Sequence, residues 1–289
     1  MTIKATAIAH GAATIVNAIA LGKGAAFGVD LWTKAEVKLT DEPHIFKAEI
    51  ISDPKESTLL IEKTVTRVLQ KFKLDKSFGA NIKTWSNIPI ARGLKSSSVA
   101  ANVVALATTA ALGKTLADLD TINLGVDSAF DAKVTVTGAF DDASASFFGG
   151  IVITDNLNRK IVNQMPFTED LVVLFHVPPE KAYTADSNVK RLQTIKPLVD
   201  VAYKEVLDGK VWDALTLNGL IYSSALGYNP AVALDALAAG AVAAGLCGKG
   251  PAVTTITYKD NVDSVKAALQ KYSGKILQAQ LNSEKAKVL

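Results

Sequence analysis

The chain has 289 residues, 49% of them hydrophobic and 20% charged, which excludes a disordered chain and suits one large domain or two modest ones with a sizeable core. A balance of 31 Lys and Arg against 28 Asp and Glu gives a formal charge of +3. Without a run of basic residues, nucleic acid is not an expected partner. The single cysteine, Cys247, rules out an intramolecular disulfide framework and a Cys-cluster metal site, and His10, His44 and His176 show no zinc-ligand spacing.

In chain order, strand-like pieces come first: Lys4–Ala9, Ala25–Leu31, Ala35–Leu39 and His44–Ile51, separated by Gly, Asp and Pro signals. The apolar stretch Ala5–Leu21 is broken by His10, Gly11 and Asn17 and follows a single lysine, which argues against a signal peptide. Ser57–Phe72 has a helical repeat through Leu60, Ile61, Val65, Val68 and Leu69. Phe78–Trp85 alternates as a strand, and a loop, SNIPIARGLK, leads to a helix from about Ser97 to Leu112. Leu116–Phe130 reads as a helix and Lys133–Thr137 (KVTVT) as a short strand.

The second half opens after Gly149-Gly150 with a hairpin, Ile151–Thr154 and Lys160–Val162, then a buried strand Leu171–Val177 stopped by Pro178-Pro179. Helices are expected at Val189–Leu207, Val211–Ser223 and Pro230–Ala244, followed by strand Ala252–Tyr258, helix Val262–Tyr272 and strand Lys275–Leu281. The runs Val99–Leu112 and Ala231–Cys247 are shorter than the ~20 residues that cross a bilayer and read as Ala-rich buried helices. The expectation is therefore a soluble, cytoplasmic protein with no membrane partner. The mixed element order points to α+β and not to a doubly wound sheet. Two domains are expected, 1–155 and 156–289.

Four glycine-bearing segments bear on phosphate binding. Gly113-Lys114-Thr115 imitates the end of a P-loop, but Thr108 stands where that loop needs glycine, so the triplet reads as a helix C-cap. In PIARGLKSSSVA, Pro89 stiffens the entry, Gly93 permits a tight turn, and Ser96, Ser97 and Ser98 open a helix whose N-terminus offers unpaired N–H groups and a positive dipole end. Arg92, Leu94 and Lys95 complete the loop, with Lys95 adding charge at its rim. In GLCGKGPAV, Gly245, Gly248 and Gly250 permit close backbone approach or simply a helix-to-strand turn. In TGAFDDASASFFGG, Asp141 and Asp142 are either helix-capping carboxylates or a base for phosphoryl transfer.

In this order the segments resemble the GHMP kinase superfamily. PIARGLKSSSVA is similar to its central phosphate loop, Pro-x-x-x-Gly-Leu-x-Ser-Ser-x-x-Ala, FDDA to its Asp-Asn/Asp-Ala element, and LCGKGPAV to its C-terminal glycine motif. GAATIVNAIALGKGAAFGVDL, VTVTGAFDDASAS and LNGLIYSSALGY further resemble the archaeal type of shikimate kinase, across essentially the whole chain. The resemblance implies a two-lobed α+β fold, with a ribosomal-S5-like first domain and a ferredoxin-like second one. The implied reaction is ATP-dependent phosphorylation of the shikimate 3-hydroxyl, with Mg2+.

The resemblance places Gly93 and Ser96 to Ser98 around the phosphates, with Ser97 reaching Mg2+, and Gly248 and Gly250 on the other lobe. Asp141 stands near the acceptor hydroxyl, Asp142 being the alternative. The first motif departs from the Pro-Gly-Lys and Gly-Glu-His of mevalonate-type enzymes. Here the stretch is HGAATIVNAIA, with Asn17 as a candidate substrate-facing residue. Asp127, then Asp131, are candidates for the acidic Mg2+ ligand, and Arg191, then Arg92, for the partner of the shikimate carboxylate. The competing readings are another small-molecule kinase of this superfamily, homoserine kinase being nearest, and a non-catalytic nucleotide- or RNA-binding protein on the same fold.

Overall fold

The computed structural model describes residues 3–181 and 189–289. Strand β1 (Lys4–Val16) runs into a single helical turn, α1 (Ala18–Leu21), and returns as β2 (Lys23–Thr40). The pieces Ala25–Leu31 and Ala35–Leu39 are thus one strand. The ladder shifts register where Gly11 faces Val29 and His10 faces Trp32, so β2 bends at a bulge instead of ending. Strand β3 (Phe46–Ile50) lies parallel to β4 (Gly79–Ser86), and α2 (Leu59–Lys71) makes the crossover that parallel pairing requires.

Helices α3 (Ser96–Ala111), α4 (Asp118–Asp131) and α5 (Phe140–Phe148) follow. Gly113 (φ 63°) does close the end of α3, its N–H donating to the Ala110 carbonyl at 2.9 Å. The KVTVT segment is not a strand. Val134 and Val136 are 36% and 38% exposed, and the Thr135 and Thr137 hydroxyls accept from the N–H groups of Gly138 and Ala139. Those local bonds bend the backbone into a loop in place of a ladder.

The hairpin β5 (Ile151–Asp155) and β6 (Lys160–Met165) joins β2 at the end that β4 leaves free. Because both strands of the hairpin belong to the first sheet, the sheets part after Met165, ten residues beyond the expected limit of 155.

The second sheet is antiparallel, in the order β10-β7-β9-β8, from β7 (Leu171–Val177), β8 (Ala243–Leu246), β9 (Val253–Tyr258) and β10 (Lys275–Gln280). Its helices are α6 (Val189–Gln193), α7 (Lys196–Leu207), α8 (Val211–Leu226), α9 (Ala231–Ala238) and α10 (Val262–Leu269). The helix expected over 189–207 is split, with Pro197 in the first turn of α7, where its missing N–H costs nothing.

The helix expected over 230–244 stops at Ala238, and the alanine-rich residues after it become β8. Packing overrides propensity there. Gly219 of α8 lets the β8 backbone approach so closely that a Cβ at Gly219 would lie 2.3 Å from the Gly245 Cα. The GLCGKGPAV segment is consequently the turn of a β8–β9 hairpin.

The tail returns to the first sheet. β11 (Lys287–Val288) pairs with β1, the Asn282 N–H donates to the Gly28 carbonyl, and the Ala286 N–H donates to the Phe147 carbonyl at the end of α5. The largest apolar cluster runs from the first sheet through α3 and α5 to β7, α7 and α8, so the two sheets share one core.

Candidate active site

The loop between β4 and α3 is held on both sides. Gly93 adopts φ 85°, and a Cβ there would stand 2.5 Å from the Cys247 carbonyl oxygen and 2.9 Å from that of Gly250. Only glycine meets both demands. The Cys247 thiol donates to the Gly93 carbonyl at 3.2 Å, and the Ala252 N–H donates to the Arg92 carbonyl at 3.2 Å. The phosphate-like loop of the first lobe is thereby clasped by the β8–β9 turn of the second. Leu94 is buried and anchors the loop. Pro89, Arg92 and Leu94 stand outside the cleft lining.

Lys95 sits in the left-handed region (φ 64°) at the N-cap of α3 and provides no side-chain cap. The first-turn N–H groups at Ser96, Ser97 and Ser98 are left for a ligand. All three serines line a cleft of about 470 Å3.

The opposite side of the cleft is the first turn of α5. Asp141 and Asp142 are 3% and 6% exposed. Asp142 Oδ2 pairs with Lys95 Nζ at 3.0 Å, and its Oδ1 is buried without a partner. Asp141 Oδ1 accepts from Asn156 Nδ2 at 2.8 Å. Burial, then the neighbouring Asp142, push the Asp141 carboxyl up to about 7, against the pull of Lys95 and the Asn156 amide. Burial works against the Lys95 ammonium, yet Asp142, Cys247 and Asp141 hold it above the ordinary lysine value. Asn102 of α3 fixes α5 from behind, its amide donating to the Ala143 carbonyl at 2.8 Å and the Ser146 hydroxyl at 3.3 Å.

Asn17 and α1 form a third wall. Asn17 caps α1 through Ile19 N–H, its own N–H donates to Asn218 Oδ1, and its carbonyl accepts from the Tyr222 hydroxyl. Asn17, Ala18 and Ile19 line the cleft. The rest of the lining mixes an apolar stretch, Ile50, Leu60, Ile61, Ala129, Ala132 and Val136, with polar residues that include Thr33, Glu56, Thr84 and Lys133.

The cleft thus unites Asn17, Gly93, Lys95, the three serines, Asp141, Asp142 and Gly250. Gly248 lies just behind, where a Cβ would be 2.5 Å from Lys95 Nζ. Two sets of expected site residues lie outside this cleft. Asp127 is held by Arg159 at 2.6 Å and by Arg67 at 3.7 Å, and Asp131 by Arg67 at 2.6 Å, so both carboxylates are engaged outside the cleft lining. Arg191 lines a separate groove with Ile195, Leu198 and Leu220. Sequence reasoning missed Asn156, Lys249 and the apolar wall. Lys249, between two glycines of a singled-out motif, was the one with a visible signal.

Among the described residues no group of three or more His, Cys, Asp or Glu is placed to hold a metal, and no helix is long and apolar enough to cross a membrane.

Residues 60–150 match the family model for the GHMP kinases N terminal domain. A shikimate kinase of Methanosarcina mazei is 45% identical over 288 residues, covering 99% of this chain and 97% of that protein. The chain belongs to the GHMP kinases, in the family of archaeal shikimate kinases. A second shikimate kinase, from Methanothermobacter thermautotrophicus, is 41% identical over 294 residues, covering 100% of this chain and 99% of that protein. Among solved structures, the Methanococcus jannaschii mevalonate kinase superposes with a TM-score of 0.78 at 16% identity, covering 96% of this chain and 98% of that one. At that identity the likeness speaks for the GHMP kinase fold, two-lobed and α+β, and agrees with the architecture above.

Proposed function

We propose that this GHMP kinase transfers the γ-phosphoryl group of ATP to the 3-hydroxyl of shikimate. One observation carries the reading: relatives named shikimate kinase at 41–45% identity span nearly the whole chain. The cleft fits the chemistry, because it sets an uncapped helix N-terminus with three hydroxyls opposite two buried carboxylates. Phosphoryl transfer needs positioning and charge neutralisation more than covalent chemistry. The N–H groups of Ser96 to Ser98 and the Lys95 ammonium would receive the phosphates, while the apolar wall of Leu60, Ile61, Ala129 and Val136 would take the base.

Asp141 is the acceptor's partner in this reading. Asp142 is committed to Lys95, whereas Asp141 has no ion pair as close and a carboxyl poised near neutrality. The bond from the γ-phosphorus to the β,γ-bridging oxygen breaks, the bond to the 3-oxygen forms, and the hydroxyl proton passes to Asp141.

The residues present also fit Mg2+. This ion keeps several waters and binds through phosphates and one or two protein oxygens, so it needs no cage of carboxylates. Ser97 would hold it, and Asp142, whose buried Oδ1 has no partner, lines the same cleft. When bound, the ion neutralises charge on the phosphate oxygens. The cations of the lining are Lys95, Lys133 and Lys249, and these face the polyphosphate and the acceptor carboxylate. A single cysteine and an ATP-consuming reaction fit the cytoplasm.

The test is coupled ADP release with Mg·ATP against shikimate, homoserine, mevalonate and galactose. Turnover on shikimate alone is expected. Turnover on another acceptor overturns the substrate, and no turnover on any of them overturns the kinase reading.

A further inference from the structure

Asn156 stands in the turn between β5 and β6, outside every motif that the sequence singled out, and is only 5% exposed. The turn itself does not need its side chain. The backbone N–H groups of Asn156 and Leu157 donate to the Gly22 carbonyl at 2.9 and 3.3 Å, and the Asp155 carboxylate accepts from Asn158. Any residue at 156 could make that backbone bond. The buried amide instead points at Asp141, with Nδ2 donating to Oδ1 at 2.8 Å.

The orientation of that amide is fixed by what surrounds it. Whenever Asp141 is ionised it only accepts, so the NH2 side then faces it, as the 2.8 Å contact has it. On the other side the fully buried Thr154 hydroxyl donates to Asn156 Oδ1 at 2.6 Å, its shorter contact, the Gly24 carbonyl lying at 3.2 Å. The far oxygen of Asp141 is also confined, since a Cβ at Gly24 would lie 2.5 Å from Oδ2. Asp141 is therefore gripped through Oδ1 by the hairpin, takes a further hydrogen bond from the Asp142 backbone N–H, and seats Oδ2 against β2, beside Ala18, which lines the cleft.

We propose that Asn156 is the positioning residue of the reaction: its amide, oriented by the Thr154 hydroxyl, occupies Asp141 Oδ1 and leaves Oδ2 as the oxygen that takes the proton of the acceptor hydroxyl. The inference rests on the reading above that Asp141 serves the acceptor. Asn156 is not part of the cleft lining, so its effect belongs in kcat and not in the KM for ATP. A misaimed carboxylate costs on the order of 10- to 100-fold in rate.

The experiment compares Asn156→Ala, Asn156→Asp and Thr154→Val with Asp141→Asn, measuring kcat, both KM values and thermal melting at pH 8. Expected are a fall in kcat of about 10- to 100-fold in both Asn156 variants, and an ATP KM within about twofold of the parent. Asn156→Asp, although isosteric, should be no better than Asn156→Ala, because it sets one carboxylate against another. A residue that only filled space would give the opposite order. Thr154→Val keeps the β-branched shape in a buried strand, so it reports on the relay even where an Asn156 variant folds poorly. A several-fold fall in its kcat is expected. Combining Asn156→Ala with Asp141→Asn should add almost nothing to Asp141→Asn alone. Asn156→Ala or Thr154→Val folding with parental kcat overturns the inference, as does full additivity in the double variant. Parental turnover in Asp141→Asn would instead overturn the underlying role of Asp141, so the two failures are distinguishable.

Discussion

Asp141→Asn should uncouple the stability of the ligand-free protein from pH. The carboxyl rises from 3.8 to about 7 on folding, chiefly through burial and Asp142. A raised folded value means the folded state binds the proton more tightly than the unfolded one. That contribution is full below about pH 4 and is lost as pH rises through about 7. The difference is worth at most about 4 kcal/mol at 1.36 kcal/mol per tenfold. At pH 5 more than half of it remains, and at pH 8 almost none. Asparagine is isosteric, still accepts from Asn156 and carries no charge, so the variant lacks this dependence. Melting both proteins without nucleotide at pH 5 and pH 8 reads the difference. The variant's advantage should grow by more than half of that maximum between the two, a rise of a few °C in Tm for a chain of this size. A Tm difference that stays constant from pH 5 to pH 8 would refute the account of Asp141 as a buried proton acceptor.

Other outcomes follow from the same geometry. Lys95→Met leaves Asp142 buried with its partner gone and should cost about 3–5 kcal/mol of stability. Adding Asp142→Leu should recover much of that in denaturant unfolding without restoring turnover. Asp127→Asn should leave kcat and the Mg2+ dependence within about twofold of the parent, since its carboxylate serves Arg159 and Arg67. The stability change should stay near the ~1 kcal/mol of a partly exposed pair. A large rise in the Mg2+ requirement would return Asp127 to the site.

Much of the fold was legible because its elements obey local rules. The α2 stripe, the all-apolar β7 and the turn residues around the β5–β6 hairpin each carry their own signal. The phosphate loop was legible for the same reason: proline, glycine and three serines before an apolar helix leave few other structures. KVTVT was misread because alternation marks a strand only where a neighbouring strand accepts it, and here its hydroxyls bend the chain instead. Ala241 to Leu246 were misread because helix propensity is local, whereas the approach of β8 to Gly219 is set by a helix more than twenty residues earlier. Asp127 looked like a metal ligand from its neighbourhood in sequence, yet the arginines that neutralise it come from α2 and the β5–β6 turn. Asn156 gave no signal at all, since a turn asparagine is ordinary until the tertiary structure brings it to Asp141.

The tail has a consequence for motion. Because β11 rejoins the first sheet, the polypeptide crosses between the sheets twice, at 166–170 and again near Leu281, where a bridge to Val29 forms at once. The second lobe is in effect an inserted loop, tethered at both ends. Two tethers and a shared core bind the lobes together, so they cannot slide past one another or swing fully apart without opening that core and unzipping β11. The same tail grips the last turn of α5 through Phe147, the helix whose first turn bears the aspartates. The last residues of the chain and the aspartates of the cleft are thus held by one and the same short helix.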